Sequence, residues 1–295
     1  MYKEYLASIM SQVLHYVAFS FKKPPLEFDT ASLIISIDVD VGSPEVGVRN
    51  GGRNDCNVHH ILTERSVGKI EEQVIPLLLK AFNGLEFPAT FALRGQLIEV
   101  ENTIVNQILE SSTRHEIAAH GYSHKVFTAL SELEAEAELS MISTGMKKLG
   151  ITPKSFVFPK NQISHLQLLE RYGYLCFRAQ GSLLRDGMYV EKCGNLFDVH
   201  PSIFLDFYSY VFYKKLINLA IKYRAPLHIW FHPSDILFWN LGNSQEVAAK
   251  RIATGLFPLI EYAKKKKEQG VLKFETMYSI AEEYQRFEKI NKARK

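Results

Sequence analysis

The sequence is poor in cysteine, in net charge and in repetitive segments, and each shortage excludes a class of protein. Its three cysteines, Cys56, Cys176 and Cys193, form no C-x-x-C pair, so we expect reduced thiols rather than a disulfide-built secreted domain. The net charge is only +3, and much of the basic excess lies in residues 264–267 and 289–295, so no nucleic-acid partner is expected. A hydrophobic content of 46% without a long polar tract excludes a wholly disordered chain.

The amino-terminal segment, residues 5–19, is apolar at roughly helical spacing but is interrupted by Gln12 and His15. It lacks the basic start, unbroken apolar stretch and small-residue cleavage site of a signal peptide, and it is short for a transmembrane span. We therefore predict a helical appendage in residues 1–30, followed by a single domain in residues 31–295. The appendage is expected to pack on the protein rather than to contact a membrane surface, and the predicted location is the cytoplasm.

Short apolar runs alternate with helical patterns from residue 31 onward. The runs are rich in β-branched and aromatic residues, which is typical of buried strands. The predicted strands cover residues 33–38, 89–94, 116–120, 155–159, 174–178, 196–200 and 227–232, with an eighth candidate at 271–276. The predicted helices cover residues 67–82, 103–110, 131–149, 165–172, 207–223, 244–267 and 278–290. This alternation favours a parallel (β/α) barrel over an open sheet, with residues 42–64 as a long loop on its active face.

The first predicted strand ends in two carboxylates, Asp38 and Asp40. Side chains two residues apart in a strand point the same way, so these two project together. Two carboxylates this close repel each other unless a cation lies beside them. The pair therefore indicates a metal or catalytic site, with helix capping or pairing to an arginine as the alternative.

Histidines end two further predicted strands. His120 ends the third strand, and His124 follows four residues later, a spacing that suits two imidazoles on one ion. A surface pair is the alternative, because the chain has 10 histidines. His232 ends a very apolar strand just before Pro233, and at the carboxyl end of a barrel strand it is a catalytic candidate. A buried core histidine has the same sequence pattern.

Taken in order, the Asp-x-Asp, His-x-x-x-His and late His-Pro segments resemble the polysaccharide deacetylases (carbohydrate esterase family 4, the NodB homology domain) over residues 31–285. Residues 89–95 look like the second strand of that family, and residues 274–277 like its closing segment. The resemblance implies an irregular (β/α)7–8 barrel. It also implies a divalent ion, most commonly Zn²⁺, bound by Asp40, His120 and His124, although other divalent transition metals suit the same ligands. By the same resemblance, Asp38 matches the general base and His232 the general acid.

The resemblance breaks at the third family motif, which reads Arg-x-Pro in the family and Val157-Phe158-Pro159 here. The family arginine orients the catalytic aspartate. We predict that its place is taken by Lys160, Asn161 or Arg178. The backbone N–H of Lys160 is also predicted to stabilise an oxyanion, as the backbone of this motif does in the family.

The family's Asp-x-x-Trp motif has no clear counterpart in the chain. The segment that contains His200 is a loose match, which makes His200 a candidate substrate contact. The alternative is that Pro201 simply ends a buried strand.

The predicted function is metal-dependent hydrolysis of an N-acyl group, in the first place acetyl, on an amino-sugar-containing glycan or glycan precursor. Hydrolysis of a small non-sugar amide is one alternative. A catalytically silent carbohydrate-binding protein on the same fold is another. The missing motif-three arginine favours this last alternative, and the presence of all five metal and catalytic candidates opposes it.

Overall fold

The computed structural model describes residues 28–40, 73–100, 103–179, 187–205, 210–238 and 245–293. The predicted amino-terminal helix and the predicted loop at residues 42–64 lie outside these residues. Among the helices that are described, none combines the length and apolar character needed to cross a membrane.

The described strands form one curled, largely parallel sheet. Along the sheet they follow the order β6-β7-β5-β4-β3-β2-β1-β9-β8, and β10 pairs with β1. This is the α/β half-barrel that the family resemblance implies, so the predicted fold class is confirmed. The strands are β1 (Ala31–Val39), β2 (Thr90–Leu93), β3 (Glu116–Ala119), β4 (Ser155–Val157), β5 (Cys176–Arg178), β6 (Val190–Cys193), β7 (Leu196–Val199), β8 (Ile203–Phe204), β9 (Pro226–Phe231) and β10 (Leu272–Glu275).

Helices connect the strands, and many of their buried residues belong to one apolar core with residues of the sheet. They are α1 (Ile75–Leu85), α2 (Gly95–Val100), α3 (Thr103–Leu109), α4 (Glu132–Lys148), α5 (Leu166–Arg171), α6 (Tyr210–Tyr223), α7 (Pro233–Phe238), α8 (Gln245–Arg251), α9 (Phe257–Glu268) and α10 (Met277–Ala293).

Strand β1 supplies both core and site because its side chains alternate between two faces. The odd-numbered residues, such as Leu33 and Ile35, belong to the core shared with the helices. Ile34 belongs instead to a second apolar cluster inside the curled sheet. Asp38 and Asp40 continue the even-numbered series, so the alternation directs both carboxylates to the inside.

Helix α10 closes the amino-terminal end of the sheet interior. Its Met277 and Ile280 pack in the same cluster as Ile34. The hydroxyl of Thr90 accepts the backbone N–H of Met277 at 3.0 Å, and the Glu116 carboxylate accepts that of Tyr278 at 3.0 Å. The carboxyl ends of the parallel strands, where the candidate site residues lie, are at the opposite end.

Strands β6 and β8 and helices α2 and α7 were not predicted, and two differences from the prediction have a clear local basis. Strand β6 pairs antiparallel with β7 through a turn in which Gly194 adopts φ +67°, a conformation that favours glycine. The predicted helix at residues 244–267 is divided by a π-helical turn, Ile252–Leu256. Pro258 follows this turn and has no backbone N–H to donate to the preceding turn, which explains the irregularity.

Candidate functional site

Asp40, His120 and His124 lie together at the carboxyl ends of β1 and β3. One ligand atom from each of the three side chains lies within 4.8 Å of the others, and all three side chains are buried. The Nε2 atom of His124 lies 3.7 Å from Oδ2 of Asp40, and the two imidazole rings have centroids 4.8 Å apart. Residues separated by up to 84 positions therefore converge on one point.

This donor set fits a divalent ion. Nδ1 of His120 lies 2.8 Å from the carbonyl oxygen of Val157, so Nδ1 carries the hydrogen and Nε2 is left as the metal-binding atom. Burial lowers the pKa of His120, which keeps its imidazole in the neutral form that binds metals. Oδ1 of Asp40 is buried and accepts no hydrogen bond from the described residues. Two imidazoles and one carboxylate are ligands that zinc commonly has in sites with open positions.

Asp38 lies beside this cluster and is paired with an arginine. The Nη2 atom of Arg178 donates a hydrogen bond to Oδ2 of Asp38, and both side chains are almost completely buried. Burial opposes ionisation of the carboxyl group, but the charge of Arg178 and its hydrogen bond to the carboxylate outweigh this effect. The pKa of Asp38 is therefore held well below its usual range, and the group is a carboxylate at neutral pH.

A chain of hydrogen bonds fixes the other terminal nitrogen of Arg178, Nη1. Nδ1 of His228 donates to the carbonyl oxygen of Val199 at 3.0 Å, and burial lowers the pKa of His228 to about 3, so the ring is neutral. Its Nε2 must then accept the hydroxyl hydrogen of Ser36, 2.7 Å away. The Ser36 oxygen in turn accepts a hydrogen bond from Nη1 of Arg178 at 2.7 Å. The ring of Trp230 covers the guanidinium at 4.7 Å.

His232 faces the two carboxylates. Its Nε2 lies 3.8 Å from Oδ2 of Asp38 and 3.7 Å from Oδ2 of Asp40. On the other side of the ring, Nδ1 lies 2.7 Å from Oδ2 of Asp235, and the same oxygen accepts the backbone N–H of His232 at 2.8 Å. Asp235 thereby places the Nδ1 hydrogen away from the site and directs Nε2 toward it.

The remaining predicted site residues occupy different surroundings. Asn161 is buried, and its Oδ1 accepts a hydrogen bond from Nη2 of Arg178 at 3.3 Å. Lys160 is partly buried and adopts φ +53° in the turn at Pro159–Asn161. His200 is buried, forms a 3.3 Å hydrogen bond with Asp198 and stacks on the ring of Tyr189 with centroids 4.5 Å apart. The structure thus joins Arg178 and Asn161 to Asp38 and pairs His200 with a different carboxylate.

Comparison with known proteins finds similarity over part of the chain. Residues 66–176 match the model of the family described as polysaccharide deacetylase. This part of the chain is thus similar to a polysaccharide deacetylase domain. A search of curated proteins finds 29% identity to a peptidoglycan deacetylase of Helicobacter pylori over 141 residues, which are 47% of this chain and 45% of the relative. The chain thus spans less than half the length of the curated relative that it matches.

Solved structures share the fold at low sequence identity. A protein of Mycobacterium smegmatis described as a polysaccharide deacetylase superposes with a TM-score of 0.64 at 16% identity, over 90% of this chain and 94% of that one. A second protein so described, from Pseudomonas aeruginosa, superposes with a TM-score of 0.63 at 16% identity, over 86% of this chain and 91% of that one. The 4-alpha-glucanotransferase of Thermococcus litoralis superposes with a TM-score of 0.61 at 11% identity, over 85% of this chain and 40% of that one. At these identities the likeness establishes the fold alone.

The motif-three arginine that is absent from this sequence has a structural counterpart on the neighbouring strand. Val157 of β4, at the position of that arginine, is the register partner of Arg178 in β5. Both residues are buried. A guanidinium on β5 therefore reaches Asp38 from the strand next to the one that carries it in the family pattern.

Two residues near the site were missed in the sequence. Asp235 follows His232 by three residues at the start of α7, and this spacing with an intervening Pro233 is the signal that could have indicated it. Arg94 follows β2 and is buried. Burial lowers the pKa of Arg94, while the nearby Asp40 carboxylate acts in the opposite direction. No local pattern distinguishes Arg94 from an arginine at the surface.

Proposed function

We propose that the protein is a metal-dependent hydrolase that removes an N-acetyl group from an amino-sugar-containing glycan or glycan precursor. The observation that carries this proposal is the convergence of one buried carboxylate and two imidazoles with two flanking groups able to move protons. The ligands are Asp40, His120 and His124, and the flanking groups are Asp38 and His232. The name of the Helicobacter pylori relative supports an acetylated glycan as the substrate.

Each group has a distinct part in amide hydrolysis. A divalent ion, for which the nitrogen and oxygen ligands favour Zn²⁺, would make a water molecule more acidic and polarise the amide carbonyl. Asp38 is ionised and oriented by Arg178, so it can accept a proton from the attacking water. Its depressed pKa makes it a weak base on its own, which is why an acidified water is required. His232 presents Nε2 to the site and, in its imidazolium form, can protonate the departing nitrogen.

Two further groups complete the arrangement. Asp235 holds His232 in the orientation in which Nε2 faces Asp38. The turn at Pro159–Asn161 contributes Asn161, which contacts the same nitrogen of Arg178 as Asp38 does. We also assign the backbone N–H of Lys160 to oxyanion stabilisation, since Lys160 lies in this turn.

The first test is metal content. Elemental mass spectrometry of the purified protein, beside a His120→Ala, His124→Ala double variant, should give near-stoichiometric metal in the parent and none in the folded variant. A parent that stays metal-free after incubation with zinc would overturn the proposed mechanism.

The second test identifies the class of substrate. Acetate release is measured with N-acetylglucosamine oligomers, peptidoglycan fragments and a panel of small amides. Turnover of the acetylated sugars supports the proposal, whereas turnover of the small amides alone makes the protein a different C–N hydrolase. A protein that binds metal and glycans but releases no acetate is a binding protein on the same fold.

A further inference from the structure

The loop between the two histidine ligands has an unusual backbone. Gly121 adopts φ +68° and His124 φ +63°, and the second value is uncommon for a residue with a side chain. A left-handed backbone at a non-glycine residue costs free energy, so the surrounding structure must hold it in place. The loop conformation is therefore maintained by contacts outside the loop.

A single carboxylate receives hydrogen bonds from the middle of this loop. Oε2 of Glu138 accepts the backbone N–H of Tyr122 at 2.9 Å and that of Ser123 at 2.8 Å. Oε1 of Glu138 accepts the hydroxyl of Ser123. The glutamate is 5% exposed, so its carboxylate depends on these donors rather than on water for its hydrogen bonds.

Glu138 occupies a fixed position in helix α4. The helix starts with a capping box in which Ser131 and Glu134 bond each other's backbone N–H groups. Ala135 and Leu139, which flank Glu138 on the same helix, are buried in the main core. The carboxylate is thus presented to the loop by an anchored element rather than by a surface side chain.

The opposite side of the loop is held as well. The backbone N–H groups of Gly95 and Gln96 donate to the carbonyl oxygens of Gly121 and Tyr122 at 2.9 and 3.0 Å. Carbonyls are thus fixed from α2 and amides from α4. Of these two contacts, only that from α4 is made by a side chain and can be removed by substitution.

Resting on the metal site proposed above, we propose that Glu138 is a positioning residue for metal binding. It holds the loop at residues 121–124 so that the imidazole of His124 reaches the ion together with His120 and Asp40. Without this acceptor, two backbone N–H groups of the loop lose their bonds to Glu138, and the loop relaxes away from the left-handed turn. Groups that orient metal ligands typically change metal affinity by roughly 10–100-fold when they are altered.

The test compares four proteins by zinc dissociation constant, measured by competition with a chromophoric chelator. Glu138→Met keeps the length of the side chain and removes both acceptors, so its dissociation constant should rise at least about tenfold. Glu138→Gln still offers one carbonyl oxygen to the two N–H groups and should stay within about threefold of the parent. Glu134→Gln is the control, because Glu134 lies one turn earlier on α4 and bonds Ser131 rather than the loop.

The melting temperature of each metal-free protein shows whether a variant loses zinc affinity because the loop is misplaced or because the whole fold is destabilised. Equal zinc affinity in Glu138→Met and the parent overturns the inference and leaves the proposed function standing. A parent that binds no zinc overturns both. If Glu138→Met is not recovered folded, Glu138→Asp, which keeps the charge but withdraws the carboxylate by one methylene, must show the loss of affinity instead. Parent-like affinity in Glu138→Asp then also counts against the inference.

Discussion

The guanidinium of Arg178 bonds the carboxylate of Asp38 from a strand that does not carry the motif-three arginine in the family pattern. Its register partner, Val157, occupies the family position on the adjacent strand. The two positions lie side by side at the same level of the sheet. We therefore expect that an arginine on either strand can reach the same carboxylate.

We expect Arg178→Val to reduce the rate constant for hydrolysis by about 100-fold or more, because general base catalysis contributes roughly 10²–10⁴-fold. The variant should also be destabilised, since removing one partner of a buried ion pair costs roughly 3–5 kcal/mol. The double variant Val157→Arg, Arg178→Val should recover part of the lost rate and part of the lost stability. Steady-state kinetics and urea unfolding measure the two effects. A double variant no better than the single one would show that the two positions are not equivalent.

We expect Asp235→Asn to lower kcat by about 10- to 100-fold while leaving metal content unchanged. The amide can donate to Nδ1 of His232, which leaves a neutral imidazole whose Nε2–H is a much weaker acid than the imidazolium that the Asp235 carboxylate supports. Complete removal in His232→Ala should cost more, up to roughly 10²–10⁴-fold. The comparison needs kcat for both variants with metal content measured on the same samples. Equal losses in both would mean that Asp235 does more than orient His232.

Metal removal is expected to destabilise the folded protein. A ligand that binds only the native state stabilises it by about 2.7 kcal/mol when its free concentration is 100 times its dissociation constant. Dialysis against a chelator should therefore lower the melting temperature, and added zinc should restore it. Asp40→Asn should show little response to either treatment. A parent whose melting temperature is unchanged by chelator would argue against a bound metal.

His115, which immediately precedes β3 at the end opposite to His120, gives a pH prediction for stability. Its ring contacts those of Phe82 and Phe91, and its Nδ1 accepts the backbone N–H of Ala89 at 3.1 Å. Burial lowers the pKa of His115 to about 4. Because the folded pKa lies below the unfolded value of 6.5, acid protonates the unfolded chain first.

The resulting stability is therefore full above pH 6.5 and is lost progressively as the pH falls toward 4. The loss amounts to roughly 3 kcal/mol in the free energy of unfolding. His115→Gln keeps an acceptor for Ala89 without a titrating group. It should flatten this part of the profile in urea unfolding experiments at pH 4 to 7.5. Parallel profiles for parent and variant would contradict the assignment.

Much of the site arrangement followed from the sequence, because parallel strands end at the same edge of a sheet. Asp40 and His120 are 80 positions apart, yet each follows an apolar run, and the shared strand ends bring them together. From the sequence, the residue that orients Asp38 could only be narrowed to three candidates, one of which is Arg178. Its bond to Asp38 depends on which strand lies beside β4, and no local pattern encodes that neighbour.

Other features were missed for identifiable reasons. The hairpin of β6 and β7 has a two-residue turn at Gly194-Asn195, and this dipeptide is a recognised hairpin signal. Strand β6 was missed because it is short and has two consecutive charged residues at its centre, which interrupt the apolar pattern used to find strands. Glu138 carries no signal as a loop anchor, because a glutamate within a helix usually faces solvent.

Strand β1 is hydrogen-bonded along both edges, to β9 on one side and to β2 and β10 on the other. A strand enclosed in this way exchanges its amide hydrogens only when the whole domain opens. Asp38 lies in this strand and Asp40 directly follows it, so both are expected to be anchored to the slowest-exchanging part of the protein, whereas His124 lies on a loop held by a few bonds. Metal release is therefore expected to begin at the histidine side of the site and to proceed without loss of the fold.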